Sequence, residues 1–126
     1  MLRPGALGEA DLSDEGRAAL ERARARLDSL TLYPEPIRTD RVRIVVAPWF
    51  FRLPRFRRYS GYALWRTILL RNPPREGVSD DLVCHELCHI WQMQNRPVAM
   101  TLTYLATRYR DNPYEAEARW AVAQTR

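Results

Sequence analysis

His85 and His89 are the only two histidines in this chain of 126 residues, and they lie four positions apart. On an α-helix, this spacing puts both imidazoles on one face, about 40° apart around the axis. Two imidazoles placed in this way can bind one metal ion at about 2.0–2.1 Å. Glu86 lies on the same side of such a helix, where a carboxylate can serve as the general base for a metal-activated water. The spacing therefore predicts a metal-dependent hydrolytic site.

The residues around the histidines predict the helix that this geometry requires. Ser79 is a suitable N-cap, and the acidic residues Asp80 and Asp81 would lie in the first turn, where the helix dipole favours negative charge. Apolar side chains recur at helical spacing on the opposite face, at Val83, Leu87, Ile90 and Trp91. We expect a helix over residues 80–94 with one face in the core and the other free for chemistry.

Two other interpretations of this segment remain open. It could be an ordinary surface helix with two polar histidines, or it could hold a structural zinc ion. Structural zinc sites are usually closed by four Cys or His ligands, and Glu86 would then have no role. Cys84 and Cys88 project towards the core flank of the helix, so we expect them to be small buried side chains rather than ligands.

A catalytic zinc site needs a third protein ligand, and no further histidine is present. Three acidic residues follow the histidines: Asp111, Glu115 and Glu117. A helix over residues 98–110 would return the chain to the level of the histidines, so an acid at the start of the next helix could face them. The geometry leaves both Glu115 and Glu117 open as the third ligand. Glu115 could instead complete a capping box with Asn112 or pair with Arg119 one turn later.

The sequence HELCHIWQ at residues 85–92, followed by NPYEAEA at residues 112–118, resembles the gluzincin-type metallopeptidases. The similarity is to small zincin-like proteins and to the core of the HtpX-like and ImmA/IrrE-like groups, and it covers residues 79–121. It implies a zincin-like fold, one Zn²⁺ per chain, Glu115 as the third ligand, and a peptide or protein substrate. These groups often have Asp or Asn where this chain has Arg119, so the partner of the first histidine is left open.

For such an enzyme, Glu86 would take a proton from water and pass it to the leaving amine. Candidate donors to the oxyanion are the nearby tyrosines Tyr104, Tyr109 and Tyr114. The resemblance also implies that a strand over residues 61–70 borders the cleft and pairs with an extended substrate, with Tyr62 and Leu64 as candidate contacts. The enzyme could be latent or specific for one partner.

Length and composition indicate one globular domain over residues 1–126, because 46% hydrophobic residues suffice for a core of this size. The pattern of helices and strands predicts the α+β class. We expect a loosely ordered start at residues 1–9, an N-terminal helix, a small twisted sheet, the active-site helix and two C-terminal helices. The predicted elements besides the active-site helix are helices over 10–30, 98–110 and 113–124, and strands over 41–46 and 61–70.

Apolar runs in the sequence are shorter than the ~20 residues that a membrane helix needs, so we expect no membrane partner. The start of the chain has no apolar block of signal-peptide length. The two cysteines are too close to staple distant segments. Together these features favour a cytoplasmic location.

All 20 basic residues are Arg, and the net charge is +5. Residues 49–59 interleave cations with aromatic rings, a mixture that single-stranded nucleic acid favours: Arg52, Arg55, Arg57 and Arg58 with Phe50, Phe51, Phe56 and Tyr59. The alternative function is therefore a basic nucleic-acid-binding module with a structural or vestigial zinc site. A solvated Arg-rich loop is the simpler interpretation of this segment. The sequence makes no prediction of the oligomeric state.

Overall fold

A computed structural model describes residues 4–106 and 112–126. In chain order it contains α1 (Pro4–Asp28), β1 (Arg43–Val46), a short 3₁₀ helix (Phe50–Arg52), β2 (Gly61–Leu64), β3 (Thr67–Leu70), α2 (Asp80–Asn95), α3 (Pro97–Ala106) and α4 (Pro113–Thr125). The described residues thus form an α+β fold with four α-helices and one small mixed sheet, which confirms the predicted class.

The three strands lie in the order β1-β3-β2, with β3 parallel to β1 and antiparallel to β2. The prediction of one continuous strand over residues 61–70 was wrong, because the chain reverses at Trp65 and Arg66. Trp65 has a φ of 52°, a conformation that is uncommon for a non-glycine residue but occurs in tight hairpin turns. The reversal makes β3 the central strand and leaves β2 at the edge of the sheet.

The core lies between the helices α1, α2 and α4 and one face of the sheet. The predicted apolar stripe of α2 is confirmed, since all four of its side chains are at most 2% exposed: Val83, Leu87, Ile90 and Trp91. Cys84 and Cys88 are free thiols and fully buried, as predicted. The helix α2 therefore runs through the core with only one face left for a site.

The ends of several elements differ from the sequence-based predictions. The helix α1 begins at Pro4, within the segment expected to be loose. The predicted extension of the third helix to residue 110 lies outside the described residues. Ser79 occupies the N-cap position of α2, but its hydroxyl makes no capping bond and instead donates to the carbonyl of Arg75. A carboxylate oxygen of Asp80 accepts the backbone N–H of Gly77 and holds the loop before the helix.

Among the described residues, none of the helices combines the length and the apolarity needed to cross a bilayer.

Candidate metal centre

The helices α2 and α4 bring together the three predicted ligands His85, His89 and Glu115. The Nε2 atoms of His85 and His89 lie 3.1 Å and 2.9 Å from the two carboxylate oxygens of Glu115. The two Nε2 atoms are 3.2 Å apart, and one potential ligand atom from each residue lies within 4.8 Å of the others. Of the described residues, only these three form such a group of His, Cys, Asp or Glu side chains.

The start of α4 places Glu115. The side chain of Asn112 accepts the backbone N–H of Tyr114, and Pro113 opens the helix at a position where its missing N–H costs nothing. Glu115 is the third residue of α4 and is 3% exposed. Its carboxylate contacts the two histidines and does not complete the predicted capping box. It makes no ion pair with Arg119 within the described structure.

A glutamine that the sequence analysis overlooked orients His89. Nδ1 of His89 lies 2.7 Å from Oε1 of Gln92, and Gln92 Nε2 donates to the Tyr114 carbonyl and to Glu117. Both groups that contact Nε2 of Gln92 are acceptors, so this nitrogen is a donor and Oε1 of the same amide must accept a hydrogen bond. Nδ1 of His89 therefore carries a proton. The other ring nitrogen of His89, Nε2, therefore faces Glu115 and the ligand group.

Glu117, the alternative third ligand, is not part of the ligand group and is connected to His89 through Gln92. One of its carboxylate oxygens accepts from Gln92 Nε2 at 3.0 Å and also from the hydroxyl of Tyr33. Burial, followed by the bond to Glu117, raises the pKa of Tyr33 and keeps its hydroxyl protonated. Tyr33, Glu117 and Gln92 thus form a hydrogen-bonded chain that ends on the ring of His89.

Glu86 is 7% exposed and follows His85 on the same helix. Its carboxylate has no hydrogen-bond partner in the part of the chain that the structure describes. Burial raises the pKa of Glu86 above its usual value, although the neighbouring imidazoles of His89 and His85 oppose this effect. A buried, unpartnered carboxylate with a raised pKa has the properties of a general base.

The pKa of Glu115 is shifted in the opposite direction from that of Glu86. Burial alone would raise its pKa, but the hydrogen bonds from His85 and His89 lower that pKa well below its usual value. A further hydrogen bond comes from the hydroxyl of Tyr104, which donates to Oε2 at 2.7 Å. The carboxylate of Glu115 is therefore ionised and available as a ligand.

The three candidate tyrosines differ in their positions. Tyr104 contacts Glu115, and its ring centroid lies 6.4 Å from that of His89. Tyr114 stacks on Tyr104 with 6.5 Å between the ring centroids, so it lies one layer further out. Tyr109 is outside the described residues.

An open cleft of about 520 Å³ runs beside α2 and reaches His85 and Glu86. Its other walls are residues 58–61, which lead into β2, and the face of α4 that carries Arg119. At Gly61, a Cβ would lie 3.3 Å from Cγ of Glu86 and 3.0 Å from Cδ1 of Leu82. The absent side chain of Gly61 therefore allows the edge strand to lie against the helix of the site.

The predicted substrate contacts Tyr62 and Leu64 both lie on this edge strand. Tyr62 is half-buried against Phe50 and Phe56, with ring centroids at 5.7 Å and 5.1 Å. Leu64 is 43% exposed at the far end of the strand. Only the start of β2 reaches the cleft.

The aromatic residues of segment 49–59 pack largely on one another. Phe51 is fully buried, and Phe50 stacks on Phe56 with 4.3 Å between ring centroids. The four arginines of the segment are exposed: Arg52, Arg55, Arg57 and Arg58. Phe50, Phe51 and Tyr59 thus belong to a second small core, whereas Trp49 is 63% exposed. Nucleic-acid binding by this segment stays a prediction.

No protein-family model, curated protein or solved structure matches this chain.

Proposed function

We propose that this chain is a zinc-dependent peptidase with a zincin-like fold of the gluzincin type. His85, His89 and Glu115 would hold the metal, and Glu86 would act as general base. The observation that supports this proposal most strongly is the convergence of two Nε2 atoms and a carboxylate from two helices, beside a buried carboxylate at an open cleft.

The donor set suits zinc in its chemistry and spacing. Two imidazoles and one carboxylate are a common ligand set of catalytic zinc sites, which keep a fourth position open. Ligand atoms at tetrahedral angles and about 2.0–2.1 Å from a metal are separated by about 3.3–3.4 Å. The two Nε2 atoms are 3.2 Å apart, close to this value. They contact different oxygens of Glu115, at 3.1 Å and 2.9 Å, and one ligand atom from each of the three residues lies within 4.8 Å of the others. Both cysteines of α2 are buried in the core, which argues against a closed structural site.

When bound, zinc would supply a Lewis acid that polarises the peptide carbonyl and lowers the pKa of water from 15.7 towards about 7. Glu86 would accept the proton of the attacking water at its carboxylate and deliver it to the leaving nitrogen. A raised pKa suits this role, because the same group must hold the proton between two steps. The other residues orient the reactants.

Of the candidate tyrosines that the structure describes, Tyr104 is the better placed to donate a hydrogen bond to the oxyanion. Its hydroxyl already lies 2.7 Å from Glu115 Oε2, at the rim of the ligand group. Tyr114 would support Tyr104 by stacking.

The edge strand β2 would bind the backbone of an extended peptide. One side of β2 pairs with β3, and in the three-stranded sheet the other side is unpaired. A peptide added there would pass Gly61 and reach Glu86.

The Glu86→Gln variant tests this function directly. It keeps the shape of the side chain and leaves all three ligands in place, so we expect zinc content to remain and hydrolysis to fall at least about 100-fold. Turnover of a quenched-fluorescence peptide library by zinc-loaded protein is the measurement. Glu76→Gln, at an exposed position in the loop before α2, is the matched control and should behave as wild type. An active Glu86→Gln variant would remove Glu86 from the mechanism.

A further inference from the structure

The cleft beside Glu86 is positively charged. Three arginines line it, namely Arg58, Arg119 and Arg126. Of the two acids in its wall, Asp81 is neutralised by Arg26 and Arg126, whose guanidinium nitrogens lie 2.9 Å and 2.8 Å from its carboxylate. In the described structure, neither Arg58 nor Arg119 pairs with an acidic side chain. Arg58 and Arg119 therefore have no ion-pair partner among the described residues, and Glu86 is the one acid of the wall that no arginine pairs with.

The loop that carries Arg58 is held in place from within the fold. The guanidinium of Arg71 donates hydrogen bonds to the backbone carbonyls of Arg57 and Tyr59. The backbone N–H of Arg71 donates to the carbonyl of Ser60 at 2.9 Å, and its guanidinium carbon lies 5.3 Å from the ring centroid of buried Phe51. Arg71 thus fixes the backbone of the loop that carries Arg58.

Arg119 reaches the cleft from a different element. It lies one turn after Glu115 on α4, yet it takes no part in the ligand group. Arg58 and Arg119 border the same cleft from a loop and from a helix, together with His85 and Glu86. An anionic group bound between them would lie beside the reacting centre.

We propose that this cleft selects peptides with a carboxylate close to the bond that is cleaved. Guanidinium groups bind carboxylates in a planar, bidentate way, and the unpaired edge of β2 provides the backbone partner that an extended peptide needs. The carboxylate could belong to an acidic side chain or to a free C-terminus. The role of this preference in cleavage rests on the proposed peptidase function, whereas the binding preference does not.

The packing of the aromatic rings in segment 49–59 favours a peptide over nucleic acid as the ligand of the cleft. Single-strand binding relies on aromatic faces that are free to stack on bases. Here Phe50 and Phe56 stack on each other, and Phe51 is fully buried. Trp49 is 63% exposed, but it does not line the cleft. The cleft thus offers unpaired cations and a strand edge more than it offers stacking surfaces.

Binding can be measured without catalysis, by fluorescence anisotropy of labelled peptides. The protein is used both as metal-free wild type and as zinc-loaded Glu86→Gln. Three peptides of one sequence are compared: one with Glu and an amidated end, one with Gln and an amidated end, and one with Gln and a free C-terminal carboxylate. We expect a peptide with the recognised carboxylate to bind about fivefold more tightly than the neutral one. The first and third peptides, each compared with the second, show which source of carboxylate is used.

The preference should depend on the two cleft arginines. Arg58→Gln and Arg119→Gln are each expected to abolish most of it. Arg57→Gln and Arg66→Gln are the matched controls, because they remove the same charge at exposed positions outside the cleft. In the double variant Arg58→Glu/Arg119→Glu, the preference should invert towards a peptide with Lys at the same position. Near-ultraviolet circular dichroism checks that each variant is folded.

Equal affinity for all three peptides, or an unchanged preference in both cleft variants, would overturn the proposal. So would tighter binding of a single-stranded oligonucleotide with the same dependence on Arg58 and Arg119, which would instead support nucleic-acid recognition. An acidic peptide that binds through these arginines but is not hydrolysed by zinc-loaded wild type would keep the binding proposal and reject the peptidase. The two failures are therefore distinguishable.

Discussion

The carboxylate of Glu115 contacts both histidines, whereas that of Glu117 contacts only groups behind them. We expect Glu115→Ala to lower zinc affinity more than about 100-fold, because a ligand is lost. Glu117→Gln should cost about 10–100-fold or less, as changes behind the ligands do. Competition with a chromophoric chelator at neutral pH measures both. Equal affinity in wild type and Glu115→Ala would remove Glu115 from the ligand set.

Gln92 gives a second prediction for a single residue. Replacing it by Leu would leave the Nδ1–H of His89 without an acceptor and allow the ring to rotate. Zinc affinity should fall about 10–100-fold while the ligands themselves are unchanged. Gln94→Leu is the control, because Gln94 belongs to the same helix but hydrogen-bonds the backbone of Arg38 at the surface. If both variants bind zinc equally well, the orienting role of Gln92 is wrong.

The relative positions of His85, His89 and Glu86 could be predicted because one helix carries all three, and helical spacing alone sets their relative directions. The prediction of Glu115 needed the further assumption that the helix after α2 returns the chain to the level of the histidines. The hydrogen-bonded chain that orients His89 could not be predicted, because its members are far apart in sequence. Gln92 and Glu117 are separated by 25 positions, and Glu117 and Tyr33 by 84. Gln92 itself offered a local signal, because it lies three residues after His89 on a neighbouring helical position.

At the scale of elements, the close approach of β2 to α2 leads to a test at Gly61. A Cβ there would lie 3.0 Å from Leu82 and 3.3 Å from Glu86, so Ala would push the strand and Glu86 apart. The neighbours must shift by a few tenths of an ångström, and misplacement of about 1 Å can cost 100-fold. We therefore expect Gly61→Ala to lower peptide turnover by up to about tenfold while zinc content stays unchanged.

Gly16→Ala is the matched control for that variant. The nearest atom to a Cβ at Gly16 is Cβ of Ile44 at 3.6 Å, an ordinary contact, and the residue lies inside α1. This change should leave turnover unaffected and raise the free energy of unfolding by up to about 1 kcal/mol. Equal loss of turnover in both variants would show that the effect at Gly61 is not local.

The helices were easier to predict than the strands. The apolar stripe and the prolines predicted the cores of α2 and α4, whereas the hairpin of β2 and β3 was missed. Its turn uses Trp65 in a left-handed conformation, and neither Gly nor Asn marks the position. The uninterrupted β-forming sequence therefore resembled one strand.

At the scale of the whole molecule, the pattern of helices and strands predicted the α+β class, but it did not show how the aromatic residues of segment 49–59 pack. Arginines and rings alternate over residues 49–59, which suggested an exposed stacking surface. In the fold, burial of apolar area gathers Phe50, Phe51 and Phe56 together, and the cations stay outside. The charge that borders the cleft comes from residues far apart in sequence, so no local pattern could show it.

The metal content of the untagged protein, purified without chelator and measured by elemental analysis, tests the central claim most directly. The three ligands predict about one zinc ion per chain in wild type and a strongly reduced content in Glu115→Ala. Because the ligands come from both α2 and α4, zinc should also raise the melting temperature of metal-free protein. A wild-type protein that holds no metal and takes none up at micromolar zinc would contradict the account.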